Sequence, residues 1–205
     1  MQTYSKYKVS GLFAEGSGGD LSEDMGAMKS YMLSKMVWNT TLANSWQSLM
    51  AEFLQGYYAQ AAPAIRAYME LMHRASITAL DPVKMFEVTG RFDKTRARMT
   101  YLDPDTMLQA GAIFKAAKPQ VSGLYLTHVN LAAQPTVYVT LTRWEETVKY
   151  AKQHAVSWPF LPTKRAQFDA FARLYNTTGD SHVDIRNTLY QFELALFAPP
   201  PPDKE

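Results

Sequence analysis

Cysteine is absent from this chain of 205 residues. That excludes disulfides, thiolate zinc ligands and thiol nucleophiles, and it leaves the compartment open. Excess charge of one sign is also lacking, with 21 Lys and Arg against 19 Asp and Glu and a net charge of +2. Nucleic-acid binders carry a basic stripe, and the densest basic grouping here, Lys94, Arg96 and Arg98, reads as a solvated helix face. No apolar run reaches the length of a membrane span. The opening residues Met1 to Lys8 lack the apolar core of a signal peptide. Nucleic acid and membrane are therefore not expected as partners, and the oligomeric state is unreadable.

Metal-ligand spacing is missing too. His73, His128, His154 and His182 form no His-x-x-x-His pair, so neither a metal site nor a cofactor is expected. No Ser-His-Asp constellation can be proposed. Gly16-Ser17-Gly18-Gly19 precedes a helical pattern but lacks the Lys-Ser/Thr ending of a phosphate loop. The Asn-x-Thr sequons at Asn39 and Asn176 are short enough to arise by chance.

What is present is the composition of a folded domain, 47% hydrophobic and 20% charged. Val9 to Glu15 reads as a short strand, and helical periodicity governs nearly everything after it. A helix is expected from near Asp20, capped by Asp20 or Ser22, with Leu21, Met25, Met28, Met32 and Met36 on one face and Asn39-Thr40-Thr41 as its stop. The next runs from Asn44 to Tyr58 with Trp46, Leu49, Met50, Phe53 and Tyr57 inward. A third opens at Pro63 and carries Ile65, Tyr68, Met69 and Met72. Ser76 to Thr100 is weakly periodic, with a short helix expected over Pro82 to Thr89. Asp103-Pro104-Asp105 reads as a cap and first turn. A long pattern from Val121 to His154 should kink at Pro135. Ser157 to Pro162 is a loop, a helix follows from Lys164 to Tyr175 with Gly179 beyond it, and the last helix holds Leu189, Phe192 and Leu196. The fold class is thus mostly α, an irregular bundle of about seven helices with one short N-terminal β-strand.

Three residues are candidates for contact with a ligand. Glu15 stands at the end of the strand, before a glycine-rich loop. Trp158 lies between loop residues. One of the adjacent pair Tyr57 and Tyr58, taken as Tyr58, points away from the core, because neighbouring helical residues cannot face the same way. Glycoside hydrolysis needs two carboxyl groups flanking one bond. Asp20, Glu23 and Asp24 are near Glu15 in sequence, but acids at a helix start are expected as caps. Catalytic residues are therefore unknown.

Gly11-Leu12-Phe13-Ala14-Glu15-Gly16, Gly18-Gly19, the run from Met28 to Asn39, and Glu52-Phe53-Leu54-Gln55-Gly56-Tyr57-Tyr58 followed by Ala61-Ala62-Pro63, Ile65 and Tyr68-Met69 together resemble the domain-of-unknown-function family 4838. The likeness is dense from Gly11 to Met72 and looser from Leu102 to Gly179. Two departures stand out: Ala59 replaces a usual Gly after Gly-Tyr-Tyr, and Met36-Val37 replaces paired leucines. The resemblance implies a barrel related to those of α-glucuronidases and β-hexosaminidases, whose last strand is Val9 to Glu15. It implies that residues 1–19 are the terminal barrel strand and loop and residues 20–198 a helical C-terminal domain; the four prolines after Ala198 mark residues 199–205 as a disordered proline-rich tail. The expected function is the helical C-terminal part of a glycoside-hydrolase-like carbohydrate-processing protein, inactive alone, with carbohydrate bound through an upstream barrel. In barrels the strand ends build the site, which places Glu15 there. A stand-alone helical binding or scaffold module without catalysis is the other reading.

Overall fold

A computed structural model describes residues 6–9, 11, 25–78, 100–178 and 185–197. The expected strand, the expected helix over Pro82 to Thr89, the caps Asp20 and Ser22, Gly179 and the tail fall wholly or largely outside these residues. Val9 and Gly11 are described without strand pairing, and no strand occurs among the described residues.

The chain folds as helices, as its periodicity predicts. α1 spans Gly26–Trp38 and ends where Asn39 Oδ1 accepts from the Thr41 amide at 3.1 Å and its hydroxyl at 2.7 Å. This Asx turn competes with helical bonding and stops the helix. A 3₁₀ turn, Thr40–Ser45, leads into α2, Trp46–Tyr58. A second short 3₁₀ turn, Ala59–Ala61, leads into α3, Ala62–Thr78, with Pro63 in its first turn, where a missing N–H is harmless. α4, Pro104–Ala117, is capped by Asp103, whose Oδ1 accepts from the Thr106 amide at 2.8 Å. α5 is Gly123–Thr142, α6 Trp144–Gln153, α7 Lys164–Thr178 and α8 Ile185–Phe197. With α5 and α6 taken as one interrupted run, the count meets the expected bundle of about seven.

That interruption lies elsewhere than the sequence suggests. The α-helix continues through Pro135, and the chain breaks at Arg143, φ −111° and ψ 27°. α5 is buried nearly all round, by Val129, Leu131, Ala132, Ala133, Gln134, Thr136, Val139, Thr140 and Leu141. Surrounding helices hold it despite the one hydrogen bond that Pro135 removes. At the true break, the Arg143 guanidinium binds Glu146 at 2.6 Å and donates to the Leu102 carbonyl. Glu145 and Glu146 then open α6, where the helix dipole favours acids.

α5 is the wall shared by two cores. Its first half, through Val129, Ala132 and Ala133, joins Met28, Phe53, Leu54, Tyr58, Ile65, Tyr68 and Phe114 in a cluster built by α1 to α5. Its last turn adds Leu141 to Trp144, Phe168, Phe171, Leu189 and Phe192, the cluster of α6 to α8. Met107 and Val139 bridge α4 to α5 between them. Fully buried aliphatic side chains of this kind contribute about 1.5–3 kcal/mol each relative to exposure.

Candidate functional site

Polar and aromatic side chains of α1, α2 and α5 come together at the margin of the first core. α2 brings Phe53 and Tyr57 four residues apart, one turn along the same face, and their rings stack at 4.8 Å. α5 brings His128 onto the outer side of Tyr57, with ring centroids 3.6 Å apart and planes within 5°. His128 Nδ1 lies 2.7 Å from the Tyr57 carbonyl. A carbonyl only accepts, so Nδ1 carries the proton, and in the neutral ring Nε2 is the acceptor. The bond also satisfies one of the carbonyls left open at the end of α2. α1 adds Tyr31, tilted against Phe53 at 5.3 Å.

The Tyr31 hydroxyl donates to Glu52 Oε1 at 2.7 Å, and Lys35 lies 3.9 Å from that same oxygen and 5.3 Å above the Tyr31 ring. The hydrogen bond to Glu52, aided by burial, pushes the Tyr31 phenol above its usual pKa. Burial alone does the same to Tyr57. The 3₁₀ turn Lys118–Gln120 follows α4, and burial pulls the Lys118 ammonium below the usual lysine range.

Tyr58 is not an outward-facing residue. It is 4% exposed and belongs to the first core, while Tyr57 is the half-buried member of the pair. The stripe Met50, Leu54 and Tyr58, spaced four apart, turns inward. Trp46, one turn before Met50 and the first residue of the helix, is nonetheless 45% exposed, against the expectation that it is buried. Trp158 is half-buried. Its ring meets Trp144 at 5.0 Å and Phe160 at 5.3 Å, both edge to face, and its indole donates to the Leu161 carbonyl at 2.9 Å. Its loop is pinned twice more, by the Gln167 side chain accepting from the Leu161 amide at 2.9 Å and by Gly111. A Cβ on Gly111 would stand 2.5 Å from Phe160 and 2.7 Å from Pro159. Tyr58 belongs to the first core, and Trp158 packs against the second. Glu15 lies outside the described residues.

An open depression of about 590 Å³ runs along α6, lined by Trp144, Glu145, Val148, Lys149, Lys152 and Gln153. Its one carboxylate, Glu145, pairs with Lys164 at 3.0 Å. Burial raises the Glu145 pKa, but a backbone hydrogen bond and Lys164 outweigh it and hold the group below the usual carboxylate range. Among the described residues no group of three or more His, Cys, Asp or Glu side chains could hold a metal ion. None of these helices is long and apolar enough to cross a membrane.

Two features escaped the sequence reading. His128 stands 71 residues from its partner Tyr57, so no local pattern announces it. Trp38 is 94% exposed, and its signal was legible: it ends a helix beside an Asn-Thr-Thr turn, in a stretch without charge from Met36 to Ala51.

Residues 1–70 match the family described as Domain of unknown function (DUF4838), which is 70 of the 205 residues and coincides with the dense part of the resemblance. No curated protein and no solved structure matches the chain.

Proposed function

We propose that this chain, whose residues 1–70 fall in the DUF4838 family, is the helical part of a glycoside-hydrolase-like carbohydrate-processing protein that supports sugar binding and turns over no glycoside by itself. One observation carries the second half of that reading. The one carboxylate seen bonded within the aromatic wall among the described residues is Glu52, whose Oε1 accepts from Tyr31 and lies 3.9 Å from Lys35. Hydrolysis by the usual two-carboxylate route requires a pair roughly 5–9.5 Å apart across the scissile bond. The wall is therefore suited to binding and support, and the acid/base chemistry belongs to a barrel acting with it.

Glu15 keeps the proposed role of a sugar-binding carboxylate, because its sequence, apolar residues before it and Gly16 and Gly18 after it, is the pattern expected where a barrel strand delivers a side chain to the site. Calorimetric titration with sugars tests this. Wild type is expected to bind more tightly than Glu15→Ala at equal thermal stability, and equal affinity would remove Glu15 from the site. A second reading, a helical binding or scaffold module without catalysis, is favoured by the second core. That core is built from Leu141 to Phe192, wholly beyond the matched segment. Titrations without sugar binding in either variant would decide for it.

A further inference from the structure

The corner between α1 and α2 combines features that the aromatic wall lacks. Trp38 is 94% exposed, Val37 47% and Trp46 45%. Between the two indoles, Asn39, Thr40, Thr41, Asn44 and Ser45 are all exposed, and Gln47 and Ser48 continue the surface into α2. No charged side chain occurs from Met36 to Ala51. The corner is also preorganised: Asn39 Oδ1 is fixed by Thr41, which leaves its Nδ2 as a donor, and the Ser45 hydroxyl bonds the Leu42 carbonyl at 3.3 Å. A large aromatic surface left in water is unfavourable by about 25 cal/mol per Å² and commonly marks a binding site.

We infer that this corner is a platform for a neutral oligosaccharide, with Trp38 against the apolar face of one pyranose ring and the Asn39 and Gln47 amides on its hydroxyls. The composition selects the ligand. A phosphate, a uronate or a nucleic acid would call for a cation, and an anionic membrane surface for several, while this stretch has none. A stable protein partner buries roughly 800 Å² on each side, whereas here the apolar groups are two indoles and a valine separated by hydroxyls and amides. A neutral polyol needs the combination present: donors and acceptors without charge beside a rigid aromatic face that loses little entropy on binding. The six-residue 3₁₀ connection between the two tryptophans rises roughly 12 Å along its axis, so a ligand that engages both is expected to be longer than a single sugar. The inference rests on the carbohydrate reading above and assigns it residues other than Glu15.

Affinity electrophoresis of the full chain through gels containing a soluble β-glucan, an α-glucan, a xylan or a galactomannan tests it, followed by fluorescence titration with oligosaccharides of increasing length. Retardation by at least one polysaccharide is expected. Trp38→Ala should weaken binding by roughly tenfold or more. Trp46→Ala should weaken only the longer oligosaccharides. Both variants should melt with wild type, because both rings are exposed. Retardation unchanged in Trp38→Ala but reduced in Glu15→Ala would overturn the platform and keep the carbohydrate reading. No retardation by any polysaccharide would overturn both. Self-association on size exclusion that Trp38→Ala abolishes would also overturn the platform, by giving the indoles to a second copy of the chain.

Discussion

Replacing Ala59 by glycine should make the protein more stable. Ala59 follows α2 with φ 49° and ψ −122°, a region that L side chains rarely adopt because Cβ crowds the backbone. It cannot relax, since its amide donates to the Gln55 carbonyl and its own carbonyl accepts from the Ala62 amide. Strain of this kind is about 1–3 kcal/mol, and the entropy glycine adds to the unfolded chain takes back about 0.5–1 kcal/mol. Ala59→Gly should therefore gain on the order of 1 kcal/mol, which in a chain of this size is a rise in Tm of about 2–4 °C. Thermal and urea unfolding measure it. Ala51→Gly in the exposed middle of α2 is the control, with an expected loss of about 1 kcal/mol. Equal losses in the two variants would refute the strain at Ala59 and with it the described exit from α2.

The other expectations concern packing and charge. Gly111→Val should displace the loop at Pro159 and Phe160, lower stability by about 1–3 kcal/mol, and change the fluorescence of Trp158; unchanged unfolding and emission would dissociate the loop from α4. Lys118→Met should raise stability at neutral pH by roughly 1 kcal/mol, since it removes a charge that burial disfavours, and a loss would reveal a partner for the ammonium. The Glu145–Lys164 pair is largely exposed at the carboxylate, so Glu145→Gln should lose less than about 1 kcal/mol at pH 7. Because the folded pKa of Glu145 lies below its ordinary 4.5, the stabilisation is complete above that value and disappears as pH falls through the folded pKa. The difference between wild type and variant should therefore vanish in acid, and a difference that grows in acid would reverse the assigned sign.

Local signals in the sequence were read well where one residue decides the backbone. Asp103 caps α4 and Asn39 ends α1 because their short oxygens bond amides two or three residues on. Pro159 and Pro162 stand in the loop they predict. Pro135 misled because a helix buried on all sides is held by its neighbours, and a lost hydrogen bond there does not set the break. Arg143 breaks the helix through contacts with Leu102 and Glu146 that its own segment does not announce. Tyr58 rather than Tyr57 turns inward through a rotation of α2 by a fraction of a turn, since Met50-Leu54-Tyr58 and Leu49-Phe53-Tyr57 are equally apolar on paper, and Trp46 is left exposed as the first residue of the helix. The pairing of His128 with Tyr57 is tertiary and has no trace in spacing.

The measurement that bears most directly on the central claim is the initial rate of aryl glycoside hydrolysis by the purified chain, over a panel including glucuronides and N-acetylhexosaminides. With Glu52 the one carboxylate seen bonded within the aromatic wall among the described residues and two needed across the scissile bond, no turnover above buffer is expected with any substrate. Turnover that disappears in Glu15→Gln would contradict the account, because it would show that this chain holds a working catalytic carboxylate of its own.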